Sequence, residues 1–264
     1  MRGAAAKPSR PIRPLTAGTE AGVFLVPRRG LRYAGGVKGE SADGRHLPYV
    51  LVKPDGYAEG DGWPLVVLLH GFGASMYDLA GLAPAIDDSG YVYAFPNAPF
   101  TVDLGGGGAG YSWYLGRPGV QPPPGEAPDV EALLDGFLDE VTEKTGASPG
   151  AIVLGGFSQG AGLSLRYGLP RREMFAGLAV LSGFFRDADA LRPRLPVERD
   201  TPVFLAHGRH DMVVALEMAH QTRAFLEEAG YAPEYHEYDM AHQITPEVID
   251  DLTPWLRRVL PPRR

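Results

Sequence analysis

Two runs in this chain, PLVVLLHG at 64–71 and AIVLGGFS at 151–158, are apolar at every alternating position and end in small or polar residues. A half-exposed strand would show polar residues at every second place, so these strands must be covered on both faces, as in a parallel sheet. The same reading gives strands at Gly22–Pro27, Leu47–Lys53, Leu65–His70, Val92–Pro96, Ala151–Gly155, Leu178–Leu181, Val203–His207 and Glu234–Tyr238. Between them, helical spacing predicts helices at Met76–Asp88, Asp129–Thr145, Gln159–Tyr167, Val214–Ala229 and Pro246–Val259. In the second of these, Val130, Leu133, Leu134, Phe137, Leu138 and Val141 share one face.

Strand and helix alternating from Leu65 onward predict an α/β fold: a mostly parallel central sheet of about eight strands with helices on both faces. The early strands, joined through GGVKGESADGRHLPY, read as an antiparallel N-terminal edge. The longest piece without a periodic signal, Ala98–Pro128, follows the YVYAFPN strand and carries Phe100, Tyr111, Trp113 and Tyr114. It should emerge at the carboxyl end of the sheet, where open α/β sheets bind ligands.

Length allows one large domain, and 21–264 is expected to form it, with 1–20 as a flexible basic arm. Residues 1–32 hold Lys7 and six arginines against Glu20, a net of +6, so the remainder carries −13 against a total of −7. An acidic body of that kind argues against nucleic acid as a partner. No apolar run approaches the roughly 18 residues of a membrane span, and the start lacks the apolar core of a secretory signal, so a cytoplasmic protein is expected. The oligomeric state is left open, a dimer included. With no cysteine, disulfides, thiolate nucleophiles and cysteine-ligated zinc are excluded.

The segment GGFSQGAG, Gly155 to Gly162, contains G-x-S-x-G between an apolar strand and a small-residue helix start. That strand–turn–helix setting is what the motif needs to act as a nucleophile elbow. Side chains two residues either side of the serine would collide with neighbouring backbone, which accounts for the glycines. A serine nucleophile needs a base, and the base an orienting acid, in the chain order Ser, Asp or Glu, His. Asp211 follows the VFLAHG strand directly, with a helix N-cap ahead of Met212 as the competing role. His242 falls in a loop after the last strand, whereas His236 lies in that strand and His220 in a helix.

The candidate catalytic residues are therefore Ser158, Asp211 and His242. Oxyanion donors are expected at the N–H groups of Gln159 and Phe72, and substrate contacts at Trp113, Tyr111 and Met240. His70 lacks partners at metal-ligand spacing and reads as structural. GGGG at 105–108 precedes no G-K-[ST] and no helix, so it is no phosphate loop. No cofactor and no metal are expected.

LLHGFGAS, FPNAP, GGFSQGAG, HGRHDMVV and YDMAHQI, in this order between Leu65 and Leu260, resemble the α/β-hydrolase superfamily. More narrowly they are similar to its phospholipase/carboxylesterase (acyl-protein thioesterase-like) family. The resemblance implies a serine ester hydrolase, with the family's nucleophile on Ser158, acid on Asp211, base on His242 and oxyanion donors on Phe72 and Gln159. GRHLPYVLVKPDGY followed by WPLVVLLHG also resembles feruloyl esterases, polyester depolymerases and peptidases of this fold. Short- to medium-chain acyl esters are the expected substrates, with thioesters next. Fold and triad alone leave a different reaction, such as a lyase or a cofactor-free peroxidase, and a non-catalytic binding protein as competing readings.

Overall fold

The computed structural model describes residues 38–105, 108–116, 120–121, 125, 127–185 and 187–263, together with the backbone of two short strands at 15–16 and 31–32. In chain order the elements are β1 (Leu15–Thr16), β2 (Leu31–Arg32), β3 (Lys38–Ala42), β4 (Tyr49–Lys53), β5 (Leu65–Leu69) and α1 (Ala83–Ile86). Then come β6 (Val92–Pro96), β7 (Phe100–Asp103), β8 (Ala109–Ser112), β9 (Val120–Gln121), α2 (Val130–Thr145), β10 (Ile152–Phe157) and α3 (Gln159–Gly168). The chain finishes with β11 (Gly177–Leu181), α4 (Ala188–Leu191), β12 (Val203–Gly208), α5 (Leu216–Glu228), β13 (Glu234–Tyr238), β14 (Gln243–Ile244) and α6 (Pro246–Val259).

The central sheet has the order β13-β12-β11-β10-β5-β6-β4-β3-β2. Strands from β13 to β6 run parallel, and β4, β3 and β2 add the antiparallel edge. This is the architecture expected, nine strands wide when the two-residue β2 is included.

Alternation along each inner strand divides the core into two layers. Leu65, Val67 and Leu69 of β5, Ile152 and Leu154 of β10, and Val203 and Leu205 of β12 meet α2, α3 and α5 on one face. Val66 and Leu68, Val153 and Phe157, and Phe204 and Ala206 meet α1 and α6 on the other. Every residue of β5 and β10 is buried, as strands covered on both sides require. Only the strand ends reach solvent, so polar chemistry is confined to them.

Helix α2 shows how local signals place an element. Asp129, extended in backbone, accepts a hydrogen bond from the Glu131 N–H at 2.9 Å, and Gly146 ends the helix in the left-handed region at φ 71°. The face expected to be apolar buries Leu134, Phe137, Leu138 and Val141, with Val130 and Leu133 packed at its margin.

Three expectations need correction. Met76–Asp88 is not one helix: a 3-10 turn at Ala80–Leu82 leads into the single turn of α1. Upstream, Asp78 accepts from the N–H and hydroxyl of Ser75, both at 2.7 Å, and Asn97 accepts from the Met76 N–H. Such side-chain bonds compete with helical ones. The connection GGVKGESADGRHLPY itself supplies β3, a polar strand whose partner is β4. Ala98–Pro128 contains β7, β8 and β9, which pair as a small antiparallel sheet with Phe100 and Val102 turned inward. The strand expected at Gly22–Pro27 and the basic arm lie outside the described residues, save the backbone of Leu15–Thr16, which pairs with Gln243–Ile244.

Candidate active site

Ser158 sits in the turn from β10 to α3 with φ 55° and ψ −115°, a left-sided conformation that non-glycine residues seldom adopt. Strain of this kind costs about 1–3 kcal/mol and persists only where surroundings over-determine it. Those surroundings are backbone. A Cβ on Gly160 would lie 2.1 Å from the Leu69 carbonyl oxygen, and one on Gly156 would lie 2.7 Å from the same oxygen and 2.6 Å from Gly160 C. The glycines let β5, β10 and α3 close on one another and force the serine outward. The Ser158 N–H donates to Leu181 O at 2.9 Å, while its carbonyl accepts from Ala161 and Gly162 at 3.1 and 3.2 Å.

The loop leaving β5 passes beside this turn: a Cβ on Gly71 would stand 3.4 Å from Ser158 Cβ. Phe72 follows it in the chain. The loop is stitched to β8, with Gly73 N–H donating to Tyr111 O and Tyr111 N–H donating to Ala74 O, both at 2.9 Å. The approach is so close that a Cβ on Gly110 would fall 2.2 Å from Gly73 O.

His70, buried, ties the base of the loop. Its Nε2 accepts from the Ala98 N–H at 3.1 Å, so Nδ1 carries the proton and donates to Gly71 O at 2.7 Å. Burial pushes its basicity down to about 4, so the ring is neutral, and its two hydrogen bonds give it a structural role. Trp113 does not line a pocket: it is 0% exposed, its ring lies 5.3 Å from that of His70, and its indole N–H donates to His70 O at 2.9 Å.

The Gln159 side chain joins the same assembly. Its Oε1 accepts from the Trp113 N–H at 2.9 Å, and its amide nitrogen donates to Ser112 Oγ at 3.0 Å. Sequence reasoning valued Gln159 for its backbone alone and missed this clamp, which spans 46 positions in the chain.

On the other flank, Asp211 follows β12 and its Oδ2 accepts from His242 Nδ1 at 2.6 Å. Its Oδ1 accepts from the N–H groups of Val213 and Val214 at 2.9 and 2.8 Å. The helix N-cap weighed for Asp211 is not what forms: α5 starts only at Leu216, after Ala215, and Oδ1 instead closes a turn over Val213 and Val214 while Oδ2 holds the histidine. Burial works to raise the Asp211 carboxyl, but the His242 bond and the two N–H groups together hold it below its ordinary value. The His242 ring packs 4.7 Å from that of Phe157, the residue before Ser158.

Gly208 permits this approach, because a Cβ there would lie 2.4 Å from Met240 O and 2.5 Å from Ala241 O. Met240 itself turns into the core layer beneath α1 and α6 and is not at an accessible wall, while Tyr111 is half-buried. His220 and His236 make their own pairs, with Glu237 at 2.9 Å and Glu234 at 3.2 Å, away from Asp211.

Comparison with known proteins shows the family. The phospholipase/carboxylesterase profile matches residues 59–260. The chain belongs to that family. It is 30% identical over 216 residues to acyl-protein thioesterase 1 of Kluyveromyces lactis, covering 74% of this chain and 92% of that one. It is also 30% identical to the carboxylesterase SOBER1 of Arabidopsis thaliana over 64% of this chain and 77% of that one. The crystal structure of esterase PE8 superposes with a TM-score of 0.64 at 28% identity, covering 81% of this chain and 98% of that one. This member of the phospholipase/carboxylesterase family is an ester hydrolase of the serine type, with no helix among the described residues long and apolar enough to cross a membrane.

Two outcomes follow. Gly160→Ala drives a methyl into Leu69 O; overpacking costs about 1–3 kcal/mol and a serine displaced by about 1 Å loses roughly a hundredfold in rate. Thermal unfolding and ester hydrolysis measured together should both fall, and an unchanged rate would contradict the crowding account. Because His70 titrates near 4 when folded and 6.5 when free, the unfolded chain takes up a proton first as pH drops. Stability should therefore decline from pH 6.5 toward 4, by up to about 3 kcal/mol from this residue. An NMR titration of the His70 ring with a midpoint near 6.5 would refute it.

Proposed function

We propose that Ser158, His242 and Asp211 act as a catalytic triad for hydrolysis of carboxylic esters through an acyl-enzyme. The observation that carries the reading is the 2.6 Å bond from His242 to Asp211, made by an imidazole that also packs on the residue preceding a strained serine. With Nδ1 committed to the acid, Nε2 is the nitrogen left for the serine proton.

In this mechanism Ser158 Oγ attacks the ester carbonyl as its proton passes to His242 Nε2. Asp211 fixes the tautomer and stabilises the imidazolium. Negative charge on the former carbonyl oxygen is received by the N–H groups of Phe72 and Gln159, at the start of α3 where the helix dipole favours an anion. His242 returns the proton to the leaving alcohol, and water activated in the same way releases the acid.

Short- to medium-chain acyl esters are the proposed substrates. Four large apolar side chains stand exposed on the loops that bear the site: Met212 (94%) and Val213 (70%) directly after Asp211, Leu104 (52%) against Gly73, and Leu115 (40%) just after Trp113. Such a rim favours an apolar acyl group over a charged one. Half-buried Tyr111, whose backbone holds the Gly73–Ala74 loop, is the remaining candidate for a pocket wall. Thioester cleavage is the second reading, favoured by the name of the Kluyveromyces lactis relative, and uses the same attack.

Ser158→Ala should stay folded, resist a fluorophosphonate probe and lose at least roughly a thousandfold in turnover. Near-normal cleavage by that variant would remove the mechanism. In a p-nitrophenyl ester series from acetate to palmitate, rates should peak at short or middle lengths, and a flat profile would exclude a defined acyl site.

A further inference from the structure

The mechanism leaves one buried titratable side chain beside the acid unused. His207, on β12, is wholly enclosed, and its Nε2 lies 2.8 Å from Val214 O and 3.5 Å from Asp211 Oδ2. A carbonyl oxygen only accepts, so Nε2 bears the proton and the ring is held in one tautomer. Nδ1 then has a bare lone pair, and it finds no hydrogen-bond partner. An unpaired buried polar atom of this kind costs about 1–3 kcal/mol. Its neighbours on β12, Phe204, Leu205 and Ala206, are apolar, and an apolar side chain at 207 would avoid that cost. What offsets it must come from the other nitrogen.

That nitrogen starts a chain of hydrogen bonds that reaches Asp211 through Val214. Asp211 Oδ1 takes the N–H groups of Val213 and Val214, the carbonyl of Val214 takes the His207 Nε2–H, and Nε2 stands 3.5 Å from Oδ2. Oδ2 is the oxygen that holds His242. Rotation of the carboxylate is therefore resisted from both of its oxygens. We propose that His207 is a positioning residue, clamping the Asp211–Val214 loop from within the sheet so that Oδ2 meets His242 at the angle catalysis needs. Burial keeps the ring less basic than an ordinary histidine, so it adds no second positive charge; Asp211, His242 and, from α5, His220 are the titratable groups around it.

The proposal rests on the triad reading, and its test separates the two. In the full chain, His207→Phe keeps volume and removes the donor, whereas His207→Gln restores an N–H near the Nε2 position. kcat, KM and the pH profile of kcat/KM are measured with p-nitrophenyl butyrate, alongside thermal unfolding. For His207→Phe, kcat should fall about 10- to 100-fold with KM changed less than about twofold, the range seen when an outer partner of a functional ligand is lost. With the N–H dipole 3.5 Å from Oδ2 removed, the carboxylate's charge is less offset toward the imidazolium, and the acid limb should move to higher pH by about half a unit. His207→Gln should recover most of both effects.

A lowered unfolding temperature with unchanged kcat and an unmoved acid limb would reduce His207 to a packing role and overturn the proposal. Should His207→Phe fail to fold, His207→Asn replaces it, since its amide reaches the Nδ1 position and not Nε2. Asn impaired and Gln active upholds the clamp; the two behaving alike overturns it. Full activity in Ser158→Ala would instead sink the triad itself, whatever the His207 variants do.

Discussion

The site depends on a contact that excludes side chains altogether. Where β5, β10 and α3 converge, the Leu69 carbonyl lies so near Gly156 and Gly160 that neither could carry a methyl. The closure bends the chain sharply between strand and helix, and the bend puts Ser158 into a left-sided conformation at the carboxyl end of the sheet. Both faces of the sheet are sealed by apolar layers, so this edge is where the inner strands offer polar groups to solvent. The location of Ser158, the proposed nucleophile, follows from backbone packing before any other side chain of the site is considered.

Two buried neutral histidines then hold the flanking loops. His70 at the end of β5 spans Ala98 and Gly71, and through its carbonyl anchors Trp113, whose own N–H is clamped by Gln159. His207 in β12 holds Val214, whose N–H in turn holds Asp211. Each ring is kept uncharged by burial, so each can fix a loop without competing for the charge handled at the surface. One flank carries the backbone donors proposed for the oxyanion, the other the paired Asp211 and His242 proposed as acid and base.

Much of this was legible in the sequence for a physical reason. Strands buried on both faces have to be apolar throughout, and a serine flanked by glycines between strand and helix fits a sharp bend and little else, so β5, β10, β12 and the elbow could be read directly. That Asp211 and His242 would meet could be read because loops after strand ends are where the chain order Ser, Asp, His places its members. What escaped was set by distant partners. Strand β3 is polar because it lies near the edge of the sheet. The segment from Met76 has helical spacing, but the side chains of Asp78 and Asn97 engage its N–H groups and those of Ser75 first. Trp113 and Met240 sit in the right segments for substrate contact, yet which way each side chain turns is decided by His70 in one case and by the α6 layer in the other. The Gln159 clamp and the His207 bond leave no local pattern at all.

Membership of the phospholipase/carboxylesterase family fits an account in which the fold presents one strained serine between a donor-bearing loop and a histidine–aspartate pair. The most direct measurement is a crystal structure of the protein after reaction with a phosphonate ester. The account predicts phosphorus bonded to Ser158 Oγ, its oxygen within hydrogen-bond distance of the N–H groups of residues 72 and 159, and His242 Nε2 facing the ester oxygens while Nδ1 stays on Asp211. Phosphorus on another residue, or an adduct whose oxygen faces away from both N–H groups with His242 turned elsewhere, would contradict it.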